Sequence, residues 1–256
     1  MDLFSIEGKV ALVTGGSSGI GAMIARGYVA AGAHVYVASR KKEACEEIVA
    51  ELSKIGRCTP LPADLSRESE CNRLGDEIVE REGGRLDVLV NNAGANWGAP
   101  IEEYPDAAFE KVMGLNVKSV FLLTRRLIPA LAAAATPDDP ARVINIGSID
   151  GLKPPLLETY AYSASKAAVH HLTRVLARKL APQHITVNAV APGPFQSKMM
   201  RATLERFGDS IARTNPLGRI GRDEDMAGIA IFLAARASAY MTGTVIPVDG
   251  GISTTT

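Results

Sequence analysis

A chain of 256 residues with 28 Lys plus Arg and 28 Asp plus Glu carries no formal net charge, which removes the electrostatic case for nucleic acid or an anionic membrane as partner. Its apolar content of 46% and charged content of 22% suit an ordinary globular protein, and no segment reaches the roughly 18 uninterrupted apolar residues of a membrane span. Cys45, Cys58 and Cys71 are odd in number and form no C-x-x-C pair. Three reduced thiols are therefore expected, with neither a disulfide framework nor a zinc site. Asp2 and Glu7 stand where a leader would be basic and apolar, so the expected compartment is the cytoplasm.

Along the chain, short β-branched runs alternate with longer amphipathic stretches. The first run, 10–13, passes through Thr14-Gly15-Gly16-Ser17-Ser18-Gly19-Ile20-Gly21 into a helical pattern over 19–31. The second, 35–38, ends in Ser39-Arg40-Lys41-Lys42 before a helix over 41–55. A weaker run at 58–63, demoted by Pro60 and Pro62, ends in Asp64-Leu65 before a helix over 67–82. The run 88–90 leads to Asn91-Asn92-Ala93-Gly94, followed by a helical pattern over 105–135 in one or two pieces. The run 143–146 leads to Gly147-Ser148, and a helix follows over 160–181. The runs 186–190 and 245–248 bracket a last helix over 223–235.

These strands are apolar on both faces, which predicts a parallel sheet covered on both sides. Strand–helix alternation at this spacing predicts an α/β single-domain Rossmann fold spanning 1–256: a doubly wound, seven-stranded parallel sheet with helices on both faces. The segment about 192–222 breaks the alternation and is rich in Met, Arg and Phe. It follows a strand, so it is placed to lie over the carboxyl ends of the sheet as a substrate loop.

The glycine turn after the first strand, with Gly15, Ser17, Ser18, Gly19, Ile20 and Gly21, lets the backbone approach a pyrophosphate resting on the helix N-terminus. An NAD-binding chain usually carries an acid about 20 residues beyond the glycines, for the ribose hydroxyls. Here Ser39 and Arg40 stand at that place with no acid from 39 to 42. A carboxylate would repel a 2′-phosphate and these two residues can bind it, so the expected cofactor is NADP(H). Asp64 and Leu65 can meet the adenine; Asn91, Ala93 and Gly94 leave room for the ribose, and the Asn side chains can tie down adjoining strands.

Tyr162 and Lys166 stand four residues apart on one face of a helix, whereas Tyr160 lies almost opposite the lysine. A phenol titrates near about 10. A neighbouring ammonium stabilises phenolate and brings proton transfer within range, while the same ammonium can donate to the nicotinamide ribose. Ser148 can donate to the substrate oxygen. His170 and His171 point in different directions on the helix, so packing is expected of them and no metal.

Taken together, Thr14 to Gly21, Asp64, Asn91 to Gly94, Asn116-Val117, Ser148, Tyr162-x-x-x-Lys166, Asn188, Pro192-Gly193 and Asp249-Gly250-Gly251 resemble the short-chain dehydrogenase/reductase family over essentially the whole chain. The resemblance implies a catalytic tetrad of Asn116, Ser148, Tyr162 and Lys166, with Asn116 holding a water through which Lys166 restores the proton. It implies that Pro192, Gly193 and Ser197 meet the nicotinamide carboxamide, and that the chain forms a homotetramer or homodimer. Gly94 to Ala99, 138–148 and 239–243 resemble the 3-oxoacyl reductases of that family, although Leu152-Lys153-Pro154-Pro155-Leu156-Leu157 departs from them. The expected function is an NADPH-dependent reductase of a 3-oxoacyl thioester or related β-keto compound. An NAD-dependent alcohol or sugar dehydrogenase, or a non-catalytic NADP(H)-binding regulator, are the competing readings.

Overall fold

Seven parallel strands form one sheet in the order β3-β2-β1-β4-β5-β6-β7. The structure, a computed structural model, describes residues 2–197 and 200–255. The strands are β1 (Val10–Thr14), β2 (His34–Ala38), β3 (Cys58–Pro60), β4 (Val88–Asn91), β5 (Ala141–Ile146), β6 (Ile185–Pro192) and β7 (Val245–Val248). Helices α1 (Gly19–Ala30), α2 (Lys42–Leu52), α3 (Glu68–Arg81), α4 (Asp106–Met113), α5 (Ser119–Ala134), α6 (Tyr160–Leu180), α7 (Arg201–Thr214) and α8 (Asp223–Ala234) make the connections. The architecture is the predicted single-domain Rossmann-like α/β fold.

The side-chain alternation of a strand splits the core into two layers. Val13, Val37 and Val90 pack with Ile24, Tyr28 and Leu233 under α1, α2 and α8. Leu12, Leu89 and Val143 pack with Leu74, Leu123 and Leu176 under α3, α5 and α6. Every residue of β2, β5 and β6 is buried, as a sheet covered on both faces requires. Each fully buried Leu or Ile of these layers contributes about 1.5–3 kcal/mol.

One boundary differs from the sequence expectation, and one that it left open is settled, each for a physical reason. The run 58–63 is a strand only at Cys58–Pro60. It forms the sheet edge, pairing with β2 alone, where a proline without an N–H can sit. The stretch 105–135 divides into α4 and α5, joined by a π-helical turn at Gly114–Lys118 that turns Leu115 and Asn116 inward. Such a turn inserts an extra residue, often at a functional position.

The chain winds outward from β1 to β3, then crosses back to place β4 on the other side of β1. Their carboxyl ends therefore diverge at a topological switch point, where ligands of open α/β sheets bind. Among the described residues no helix is long and apolar enough to cross a membrane.

Candidate active site and cofactor cleft

A cavity of about 1130 Å³ opens at the switch point and runs along the carboxyl ends of the strands, beneath part of the 192–222 segment. Of the residues expected to hold a cofactor, Gly15, Ser17, Ser18, Gly19, Ile20, Ser39, Arg40, Leu65, Ala93, Gly94, Tyr162, Lys166, Pro192, Gly193 and Ser197 line it. Gly21, Asp64 and Asn91 do not. Residues 198–199 of the expected substrate loop lie outside the described residues.

The N-terminus of α1 is shaped for an anion. Gly15 and Gly19 adopt φ of +63° and +53°, which costs a glycine little and other residues much. Ser18 stands at the N-cap without a side-chain cap, and no acid occupies the first turn. The free N–H groups and the positive end of the helix dipole therefore face the cavity. Gly21 serves the turn from behind: a Cβ there would lie 2.3 Å from the Gly15 carbonyl oxygen and 2.4 Å from Asn92 Nδ2. Gly21→Ala is expected to destabilise the fold by about 1–3 kcal/mol through this overlap and to weaken cofactor binding, readable by denaturant unfolding and by cofactor titration.

Two residues outside the predicted set brace the switch point. Thr14 Oγ1 donates to the Val90 carbonyl at 3.1 Å and accepts from the N–H groups of Asn92 and Ala93 at 2.9 and 3.1 Å. Asn92 Nδ2 donates to the carbonyls of Thr14 and Gly15 at 2.9 and 3.2 Å. Asn91 points the other way, donating to Asn145 Oδ1 at 2.9 Å and Thr124 Oγ1 at 3.1 Å. It ties β4 to β5 and α5. Asp64 accepts from the N–H and hydroxyl of Ser66, at 3.2 and 2.8 Å, so its carboxylate closes the turn before α3.

At the end of β2, Ser17 donates to Ser39 at 2.9 Å, and Ser39 Oγ lies 3.1 Å from the buried Cys45 thiol. Arg40 is exposed on the cavity rim, and among the described residues neither it nor Lys41 makes an ion pair. These cations precede α2, whose N-cap Lys41 makes no side-chain cap. A helix N-terminus disfavours cations unless an anion offsets them. The arrangement, with the α1 turn beside it, fits a phosphorylated dinucleotide.

Ser148, two residues past β5, caps the short turn Ile149–Gly151, accepting the Asp150 N–H at 3.1 Å. Its hydroxyl lies close enough to the Tyr162 phenol to favour the ionised form. Lys166, one helical turn along α6, donates to the Ile146 carbonyl at 2.8 Å and sits 5.3 Å from the centroid of the Tyr162 ring. Tyr160 is exposed and hydrogen-bonded to Glu158. The phenol of Tyr162 is pushed up to about 12: burial dominates, Ser148 pulls it down, and the charge of Asp150 pushes it further up. Burial pushes Lys166 down to about 8, opposed by Asp150. The simple expectation that the ammonium lowers the phenol is not met: burial raises it, and only Ser148 pulls it down.

Asn116, in the π-helical turn, does not line the cavity. Its Oδ1 accepts the Ala95 N–H at 2.8 Å, and its Nδ2 donates to the Ala95 carbonyl and Ser165 Oγ, both at 2.9 Å. Ser165 donates in turn to the Tyr162 carbonyl at 2.7 Å. The side chain therefore clasps the β4 loop to the first turn of α6. His170 is buried against Gly147 and Gly151, where burial pushes it down to about 4 and keeps it neutral. Trp97 is half exposed outside the cavity, its carbonyl accepting the Tyr104 hydroxyl.

The outer wall comes from the segments after β5 and β6. Pro154, Pro155, Leu156 and Leu157 line the cavity together with Ile211 and Thr214 of α7. Ser197 reaches back so far that a Cβ on Gly19 would lie 3.1 Å from its Cβ. Gly193 and Asp249 are in similar contact, at 2.6 Å for a Cβ on the glycine.

Known proteins agree with this geometry. The sequence family described as Enoyl-(Acyl carrier protein) reductase matches residues 15–253. The chain is 50% identical over 250 residues to a rhamnolipids biosynthesis 3-oxoacyl-[acyl-carrier-protein] reductase of Pseudomonas aeruginosa, covering 97% of each chain. It is 33% identical to the 3-oxoacyl-[acyl-carrier-protein] reductase FabG of Thermotoga maritima, covering 96% of this chain and 98% of that one. The structure of the Pseudomonas aeruginosa RhlG/NADP active-site complex superposes with a TM-score of 0.95 at 49% identity, covering 99% of both chains. With the switch-point cleft and the paired tyrosine and lysine already placed, the chain belongs to the short-chain dehydrogenase/reductase family of oxidoreductases.

Proposed function

We propose that this chain is an NADPH-dependent reductase that converts a 3-oxoacyl thioester, or a related β-keto compound, to the alcohol. The observation that carries the reading is the grouping of Ser148, Tyr162 and Lys166 on the wall of one cleft that begins at the α1 glycine turn and Arg40. When bound, NADPH supplies the hydride. Gly15, Ser17, Ser18 and Gly19 hold the pyrophosphate, Ser39 and Arg40 the 2′-phosphate, and Pro192, Gly193 and Ser197 border the nicotinamide. The Ser148 hydroxyl orients the substrate oxygen by hydrogen bonding, and Tyr162 gives it a proton as the carbonyl becomes an alkoxide. The buried Lys166 ammonium holds the nicotinamide ribose and stabilises the phenolate left behind. Asn116 fixes the turn of α6 that carries Tyr162.

The apolar wall at Pro154, Pro155, Leu156 and Leu157 suits an acyl chain extending from the reacting carbon. Leu156 and Leu157 are exposed, at 104% and 50%, and leave apolar surface that such a ligand would cover. Leu157→Asp is expected to raise KM for a long-chain 3-oxoacyl thioester about 10-fold or more, leaving a short-chain analogue within about two-fold. NADPH oxidation across a chain-length series measures this, and equal effects at all lengths overturn the acyl-wall assignment.

Exposed apolar side chains on α5 and α6, Phe121 and Val175, and the fully exposed Tyr240 support self-association as a homotetramer or homodimer; sedimentation equilibrium tests it. The free thiols Cys45, Cys58 and Cys71 suit a reducing compartment such as the cytoplasm.

A further inference from the structure

Beside the reacting pair sits an acid that the steps above leave without a role. Asp150 lies in the turn directly after Ser148, gives its N–H to Ser148 Oγ at 3.1 Å, and lines the same cavity. It is half-buried, and among the described residues its carboxylate has no hydrogen bond or ion pair. The turn packs directly on α6: a Cβ on Gly151 would stand 2.7 Å from both the Lys166 carbonyl carbon and the Ala167 nitrogen. Lys166 is the complementary case. It is only 6% exposed, its ammonium is bonded to one carbonyl, and among the described residues it has no ion pair. A buried ammonium without a counter-charge is costly, and an adjacent carboxylate offsets that cost.

The other titratable groups here do not supply that charge. From α6, Tyr162 and Lys166 face the turn, together with His170, which burial keeps neutral. Strand β6, packed on the same turn, brings no titratable side chain. Lys153 donates to the Ile252 carbonyl at 2.6 Å. Asp249 accepts the N–H groups of Gly251 and Ser253 at 2.9 and 2.7 Å.

We propose that Asp150 is a positioning residue of this site, whose carboxylate keeps Lys166 as ammonium and Tyr162 as phenol and so sets the site for reduction. The proposal rests on the reading of Tyr162 and Lys166 as the reacting pair. Burial raises the Asp150 carboxyl and the charge of Lys166 lowers it, so the two charges support each other. The same carboxylate opposes loss of the Tyr162 proton. Removing the charge makes both neighbours release their protons at lower pH. Reduction needs a protonated phenol and loses its alkaline limb earlier; oxidation of the alcohol needs phenolate and gains at neutral pH.

Asp150→Asn tests this while keeping the backbone N–H and the side-chain size. The pH profiles of kcat/KM in both directions are recorded, together with the phenolate absorbance of the variant minus that of its Tyr162→Phe counterpart. The expected result is a downward shift of about one pH unit in the limbs and in the Tyr162 titration, with oxidation near neutrality about tenfold faster. Asp150→Glu is expected to keep the native profile. Superposed profiles and titrations, or a kcat reduced equally at every pH, overturn the proposal. Turnover retained in Tyr162→Phe would instead sink the reacting-pair reading, and the absorbance titration would still decide whether Asp150 acts on Tyr162.

Discussion

Tyr162→Phe is expected to lower kcat for carbonyl reduction by about 10²–10⁴-fold, the usual worth of a positioned general acid. The substitution removes one oxygen from a half-buried ring and leaves the ring's contact with Lys166 in place. Unfolding midpoint and NADPH affinity should therefore stay close to the native values. Ser148 would keep the Asp150 N–H that its hydroxyl accepts. The contrast between lost kcat and retained binding separates a proton donor from a structural tyrosine. Tyr160→Phe is the internal control, because its exposed hydroxyl bonds Glu158 and is expected to leave kcat within about two-fold. Loss of binding in step with kcat would contradict the assignment.

Arg40→Glu is expected to carry the second large effect, on cofactor choice. The native guanidinium stands exposed at the rim without an acidic partner among the described residues, so little folding stability depends on it. A charge-assisted hydrogen bond to a 2′-phosphate is worth about 10–100-fold in affinity, and a carboxylate in its place adds repulsion. KM for NADPH should rise by at least that factor while KM for NADH holds or falls, with kcat little changed. Steady-state kinetics with both cofactors measure the ratio. An unchanged ratio would move recognition of the phosphate to Ser17, Ser39 and Lys41, which border the same corner.

The central strands were legible because residues such as those of 35–38 and 143–146 are β-branched and apolar on both faces, a pattern that only a covered parallel sheet accommodates. The glycine turn and the Tyr162–Lys166 spacing were legible for a related reason: each is a local constraint, on φ in one case and on helix phase in the other. The π-helical turn at Gly114–Lys118 was not. A shift from i→i−4 to i→i−5 bonding leaves no compositional mark, so 105–135 read equally well as one helix or two.

The Asn91-Asn92 pair was legible only in part. Strand alternation puts Asn91 on the face of Leu89, under α5, and Asn92 at the opening of the cleft. Period-two alternation alone favours Asn92 over Asn91 for the cleft. Asp150 was invisible for the opposite reason. Nothing in Ile149-Asp150-Gly151 signals chemistry until the turn is folded onto α6 and Lys166 proves to lack a counter-charge. Long-range placement of a single acid has no periodicity to read.

The proposed chemistry is hydride transfer from NADPH to a keto carbon at the Ser148–Tyr162–Lys166 wall. The most direct measurement incubates the chain with a 3-oxoacyl thioester and NADPH deuterated at the transferring position, then examines the product by mass spectrometry. One deuterium on the new carbinol carbon, absent with Tyr162→Phe, is the predicted result. Product without the label, or labelled product undiminished in Tyr162→Phe, would contradict it.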